Sequence, residues 1–231
     1  RRRQRQMCIR DRSSLFITKD RIAFSNTLDW SMRLILLISI PAVIGLVMLA
    51  EPIILTLFER GAFNSYDSLQ ASYSLIALAG GLVAFMLIKI LTPSFFARQE
   101  PKKPMYVALI SMVLNAVLAW LLGFNLGYGH VGLALASSIS AFFTAMTLLF
   151  LLKREKIYES SKGWIVFWIR LSIASIVLIL FLVYFNKEVS DLREFTNFGR
   201  IVYLLKMVIL GIGLYLLALR LSGLRIKDFI N

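Results

Sequence analysis

Cysteine and histidine are almost absent. The 231 residues contain one Cys, Cys8, and one His, His130. That excludes an intrachain disulfide and any metal site built from Cys or His clusters. His130 follows a Gly-rich stretch and has no Ser or Cys nucleophile in a recognisable setting. Acidic residues are scarce as well, 13 Asp and Glu against 26 Lys and Arg, and most lie between apolar runs. No GxxxxGK(S/T) phosphate loop, HExxH or paired-Asp motif occurs. An enzyme is therefore not expected, nor a metal or an organic cofactor; coupling to an ion or to the membrane potential stays open.

Apolar residues are abundant, at 58% of the chain, and the mean hydropathy is +0.75. The formal net charge of +13 could point to nucleic acid. A nucleic-acid binder, however, spreads its charge among polar residues, and a soluble domain is only about half apolar. A bilayer is the solvent this composition fits, and no nucleic-acid partner is expected. Six apolar runs cover 34–57, 71–91, 105–124, 131–152, 164–185 and 201–221. Each reaches the roughly 20 residues that cross about 30 Å of hydrocarbon as a helix. Runs such as 173–183 do not alternate apolar with polar residues, as a membrane β-strand would. The expected fold class is all-α integral membrane, with six spanning helices.

The connections carry turn formers and charge. Segment 58–70 contains Gly61, Asn64 and Asp67, and segment 92–104 holds three prolines, which predicts no helix through it. Orientation follows from Lys and Arg in short loops. Leaving out residues 1–12, Lys19, Arg21, Arg33, Arg98, Lys102, Lys103, Lys153, Arg154, Lys156, Lys162, Arg225 and Lys227 fall on one side. Arg60, Lys187, Arg193 and Arg200 fall on the other. Twelve against four places both ends, including the tail 222–231, in the cytoplasm. Residues 13–33 read as an interfacial amphipathic segment with Trp30 at headgroup depth. Residues 1–12 fit nothing downstream, and a polybasic anchor for anionic lipids is one reading of them. MCIRDR looks like translated sequencing-adapter read-through, and with six Arg and one Asp the segment supplies +5 of the charge. The chain begins with Arg1 rather than Met, as a piece of a longer protein would.

An ionisable side chain is costly in hydrocarbon, so each one inside a run is a candidate site. Glu51 precedes Pro52 in the first run and is either a candidate for a proton, a cation or substrate, or a solvated side chain near the outer interface. Lys89, Arg170 and Lys206 lie near helix ends and either snorkel to the interface or line a polar cavity. Pro41 and Pro52 are expected to bend the first helix. Asn115, Ser137, Ser138 and Ser140 read as interhelical hydrogen-bonding groups. Gly132, Ala136 and Ser140, with Ala77/Gly81 and Gly80/Ala84, have the small-residue spacing of close helix contacts.

Two loop runs carry a resemblance. Residues 49–63, LAEPIILTLFERGAF, and 89–104, KILTPSFFARQEPKKP, resemble the lipid II flippase family, MurJ or MviN. The family carries an LF-x-RGAF segment and then a K-x-L-x-P-x-F-(Y/F)-A-R-Q-(D/E)-x-x-x-P run. Arg60, Gly61, Phe63, Pro93, Arg98, Gln99 and Pro104 stand at motif positions here. LDWSMRLILLISIP (28–41) and GHVGLALASS (129–138) match too, and the likeness runs from about residue 13 to the C-terminus.

The resemblance implies a fourteen-helix fold of the MOP exporter superfamily, of which these six helices are the last six. It places the start of the first helix in the cytoplasm, as the charge count does independently. It implies translocation of undecaprenyl-pyrophosphate-linked peptidoglycan precursor, lipid II, across the bacterial inner membrane by alternating access. The partners it implies are lipid II, membrane lipids and the missing N-terminal half of the same protein. The family's essential arginines would lie in that half, and the last two helices would help form a groove for the lipid tail. Some members hold a cation against the helix matching 105–124; Asn115 offers an oxygen there, yet Ala119 supplies no carboxylate. A related polysaccharide-precursor or multidrug exporter, or a non-transporting scaffold, is the alternative, and the two loop runs argue against both.

Overall fold

The computed structural model describes residues 2–59, 64–161, 163–185, 192 and 195–223, with side chains from residue 21 onward. The helices are α1 (Arg2–Met48), α2 (Ala50–Phe58), α3 (Ser65–Gly80), α4 (Leu82–Phe96), α5 (Lys102–Ala119), α6 (Gly129–Arg154), α7 (Trp164–Phe185) and α8 (Asn197–Leu221), with a π-helical turn at Trp120–Asn125. No strand occurs among the described residues. Among the described residues six stretches are long and apolar enough to cross a membrane: Arg21–Met48, Ser65–Phe96, Lys102–Asn125, Gly129–Arg154, Trp164–Phe185 and Asn197–Leu221. In hydrocarbon a segment must satisfy its backbone internally, and the helix does so.

The breaks have local causes. Pro52 has no N–H to return four residues back, and the helix interrupts at Leu49, so the run 34–57 is divided between α1 and α2. No turn separates 13–33 from the first apolar run, because α1 continues through residue 33. Pro41 lies inside α1, and the carbonyl it leaves without a helical donor, Leu37 O, accepts a 2.8 Å hydrogen bond from Tyr215 Oη of α8. No helix runs through the proline-rich stretch 92–104: the chain breaks at 97–101, although the flanking residues 92–96 and 102–104 are helical. Pro93 sits inside α4, and Pro104 occupies the first turn of α5, where N–H groups have no intrahelical partner.

The chain leaves α4 through a Schellman turn, with Gln99 left-handed (φ 57°), Glu100 N–H donating to Phe95 O and Gln99 N–H to Phe96 O. Lys156 (φ 55°) ends α6 the same way, with Ile157 N–H donating to Leu152 O.

Two packed groups share α1. On one side α6 is surrounded by α3, α4 and α5, and α1 lies against α4. Leu28, Met32, Leu91, Phe95, Val107, Leu148, Leu152, Ile157 and Tyr158 form the core of that group. On the other side α7 and α8 pack on each other, on α1 and, through α8, on α2. Leu36, Phe167, Leu171, Ala174, Leu178, Met207, Tyr215 and Leu219 fill that seam.

Small residues decide the closest approaches. A Cβ on Gly81 would sit 2.8 Å from Ser138 Cα, and Ser138 Oγ donates to Ala77 O at 2.6 Å. Ala77, Gly81 and Ala84 face α6, whereas Gly80 is exposed, so the Gly80/Ala84 pairing does not form a contact face. Ser140 enters through its carbonyl, which accepts from Ser111 Oγ at 3.0 Å. The outer surface is apolar: Met112, Ile165, Tyr184 and Leu221 are 71%, 77%, 82% and 86% exposed. Water would not tolerate this surface, and lipid does.

Candidate functional site

A cleft opens where α1 and α2 meet α7 and α8. Leu37, Ile38, Pro41, Ala42, Gly45, Leu46, Leu49 and Ile53 form one wall, and Leu178, Leu182, Met207, Val208, Gly211, Ile212, Tyr215 and Leu216 form the other. Its volume is about 560 Å³. Pro41, Ala42 and Gly45 give α1 little side-chain bulk on this side, and a Cβ on Gly45 would meet nothing within 4 Å. Among the described residues no charged side chain lines the cleft, and the hydroxyl of Tyr215 is engaged by Leu37 O. Such a space takes hydrocarbon and offers nothing to an anion.

Two polar clusters lie where α1, α4 and α5 meet the end of α6 and the start of α7. The first centres on Asp29, which is 3% exposed. Its Oδ1 accepts from Tyr158 Oη at 2.7 Å and Trp164 Nε1 at 2.7 Å; its Oδ2 accepts from Ser161 Oγ at 2.5 Å and faces Arg33 Nε at 3.0 Å. Arg33 also donates to Ser161 Oγ at 2.6 Å, and its guanidinium lies 5.1 Å from the Trp164 ring centre. Ser25 adds a reciprocal pair with the backbone of Glu159, at 3.2 and 3.0 Å. Burial pushes the Tyr158 hydroxyl well above its usual range, and the Asp29 carboxylate pushes it further, so it stays a donor.

The second cluster joins Arg98, Glu100 and Lys103 to Glu155 just past α6. Arg98 reaches Glu155 at 3.0 Å and Glu100 at 3.2 Å; Lys103 reaches Glu100 at 2.7 Å and also meets Glu155. The hydrogen bond from Lys103 holds the Glu155 carboxyl below the usual carboxylate range, and Arg98 adds to it against the opposing effect of burial. All four side chains remain a quarter to a third or so exposed, so their pairing is screened by salt. This cluster gives the motif residue Arg98 a structural role, tying the α4–α5 turn to the end of α6.

The other residues singled out in the sequence do not converge. Glu51 is half-buried in the first turn of α2, Lys89 is exposed on α4, and Lys206 is exposed on α8. Arg170, half-buried on α7, donates to Gly223 O past the end of α8 at 3.2 Å. None of the ion pairs found among the described residues involves these four. Asn115 is half-buried on α5, and no three His, Cys, Asp or Glu side chains gather among the described residues. Gln99 supplies the left-handed turn, Pro104 is buried, and Pro93 is exposed. Arg60, Gly61 and Phe63 lie outside the described residues, as do Lys162, Lys187, Arg193, Arg225 and Lys227.

Sequence reasoning did not find Asp29. A signal was present: Ser25, Leu28, Asp29, Met32 and Leu36 share one helix face, with Arg33 four residues beyond the carboxylate.

A family model described as Lipid II flippase MurJ matches residues 12–209. The probable lipid II flippase MurJ of Vibrio cholerae is 38% identical over 212 residues, covering 89% of this chain and 39% of that protein. That of Haemophilus influenzae is 38% identical over 210 residues, covering 90% and 40%. A solved structure of a lipid II flippase MurJ in an inward closed conformation aligns with a TM-score of 0.73 at 27% identity, over 93% of this chain and 42% of that one. The chain thus spans about two fifths of the length of the relatives it matches.

Proposed function

The chain belongs to the lipid II flippase MurJ family, and from that premise we propose that it forms the last six helices of a multi-pass inner-membrane flippase. The whole protein would carry undecaprenyl-pyrophosphate-linked peptidoglycan precursor to the outer leaflet by alternating access. The observation that carries this reading for these residues is the apolar cleft between α1–α2 and α7–α8. A polyprenyl tail needs such a surface, whereas the pyrophosphate needs cationic donors. No cation lines the cleft among the described residues, so the headgroup grip is assigned to the part of the relatives that this chain does not span.

A chimera tests the reading: residues 13–231 joined to the N-terminal part of the Vibrio cholerae relative. It is expected to restore growth to cells depleted of their own flippase and to relieve accumulation of precursor in the inner leaflet. A chimera that inserts normally yet leaves the precursor accumulated would overturn the reading.

The proposal also places both ends of the chain in the cytoplasm. With Cys8→Ser as background, Tyr128→Cys is expected to react with an impermeant maleimide in spheroplasts, and Lys102→Cys only after lysis. Both positions are exposed. The opposite labelling pattern would invert the topology.

A further inference from the structure

We propose that Asp29 is a positioning residue for transport: its carboxylate is the joint that sets α7 and α8 against α1, and with them the width of the apolar cleft. The transport half of this statement rests on the flippase reading above; the cleft half does not.

The chemistry of the joint is selective. Three side-chain donors converge on one carboxylate, Tyr158 and Ser161 from the connection after α6 and Trp164 from the start of α7, and Arg33 of α1 makes an ion pair with it. Tyr158 and Trp164 are held as donors at these atoms and Arg33 brings a positive charge, so the group they face has to be an anionic acceptor. An ionised carboxylate offers about four lone-pair sites and no proton. An Asn would turn an NH2 toward the Tyr158 and Trp164 donors or toward the Arg33 guanidinium, and an Ala would leave buried donors facing a void.

The joint also has leverage. Leu178 and Leu182, which line the cleft, lie 14 and 18 residues beyond Trp164, or about 21 and 27 Å along α7. A tilt of about 5° at Trp164 therefore moves Leu178 by about 2 Å at 1.5 Å rise per residue. The second helix follows the first, because Gly211 of α8 lies against Leu178, with a Cβ there 3.2 Å from Leu178 Cδ1. Arg33 stacked over Trp164 and Phe167 covers the same corner from the other side. The joint thus acts at one end of a lever whose other end is a cleft wall.

The test uses the full chain in lipid nanodiscs with Cys8→Ser, spin-labelled at Leu57→Cys and Tyr184→Cys, which are 58% and 82% exposed on α2 and α7. Asp29→Asn is expected to shift or broaden the interspin distance by about 2 Å or more, the displacement the lever gives. Asp29→Glu, which keeps the carboxylate, is expected to restore most of the native distribution. Glu155→Gln, which loosens the other polar cluster, is expected to lower stability and leave that distance unchanged. An unaltered distribution in Asp29→Asn overturns the proposal, and so does equal broadening in Glu155→Gln.

If Asp29→Asn does not fold, Tyr158→Phe and Trp164→Phe each remove one donor and are expected to give smaller shifts in the same direction. No shift in either overturns the proposal. In the chimera, Asp29→Asn at equal membrane abundance is expected to lower the transport rate about tenfold, with Asp29→Glu within about threefold of the parent. If the parent chimera itself fails to transport, the flippase reading falls, while the distance measurement still decides the joint.

Discussion

Replacing Gly132 with alanine is expected to lower the apparent unfolding midpoint of the detergent-solubilised chain by about 10 °C, the shift that corresponds to about 3 kcal/mol at this chain length. On an open helix surface the same change would stabilise by about 1 kcal/mol. Here the added Cβ would lie 2.6 Å from the carbonyl carbon and oxygen of Leu122 and 2.7 Å from Gly123 N. All three are backbone atoms, so no rotamer change relieves the contact. The π-helical turn brings that backbone so close: Leu126 N–H donates to Leu121 O at 2.9 Å, widening the last turn after α5 so that it meets the first turns of α6. Gly213→Ala, whose Cβ would meet nothing within 4 Å, is the matched control and is expected to leave the midpoint level or raise it. Equal stability of Gly132→Ala and the parent would show that the close approach is not made in the membrane protein.

The spanning helices were legible because the bilayer imposes both length and composition on them. The run 164–185 coincides with α7, since Gly163 (φ 98°) and the polar residues before it stop the apolar pattern abruptly. Where polar residues tolerate helix, the ends were drawn short: α3 begins at Ser65 because Asn64 and Asp67 form a capping box, with Asn64 Oδ1 accepting from Asp67 N–H at 3.0 Å. The small-residue contacts were half legible, because spacing names candidate faces and cannot say which one a neighbour covers.

The polar clusters were the least visible. Arg98 and Glu155 are 57 residues apart, and Asp29 meets partners 129 to 135 residues away. No local pattern encodes such pairs. Searching for ionisable groups inside the apolar runs led to Glu51, Lys89, Arg170 and Lys206, four side chains that the fold places apart. The buried carboxylate stood just outside the first run, at the edge where the charge count treated its neighbour Arg33 as an orientation signal only.

Gly45→Trp is expected to abolish most transport by the chimera while leaving the fold intact, a reduction of about tenfold or more. Gly45 lines the cleft, and a Cβ there points into open space. The new side chain therefore starts into the cleft without a clash at its Cβ, and Trp is favoured over a helical glycine by about 0.5 kcal/mol. The variant puts rigid apolar volume into a cleft of about 560 Å³, and that volume is what the lipid tail would otherwise occupy. Stability and transport are then driven in opposite directions, which separates occupation of the cleft from damage to the fold. Gly213→Trp on α8 supplies the comparison: it is exposed, lies outside the cleft lining and has the same open surroundings, so its transport should match the parent. Measured together in cells depleted of their own flippase, the two variants give a sharp contrast if the tail runs along α1, α7 and α8. Parent-level transport by Gly45→Trp would remove the cleft from the path of the substrate.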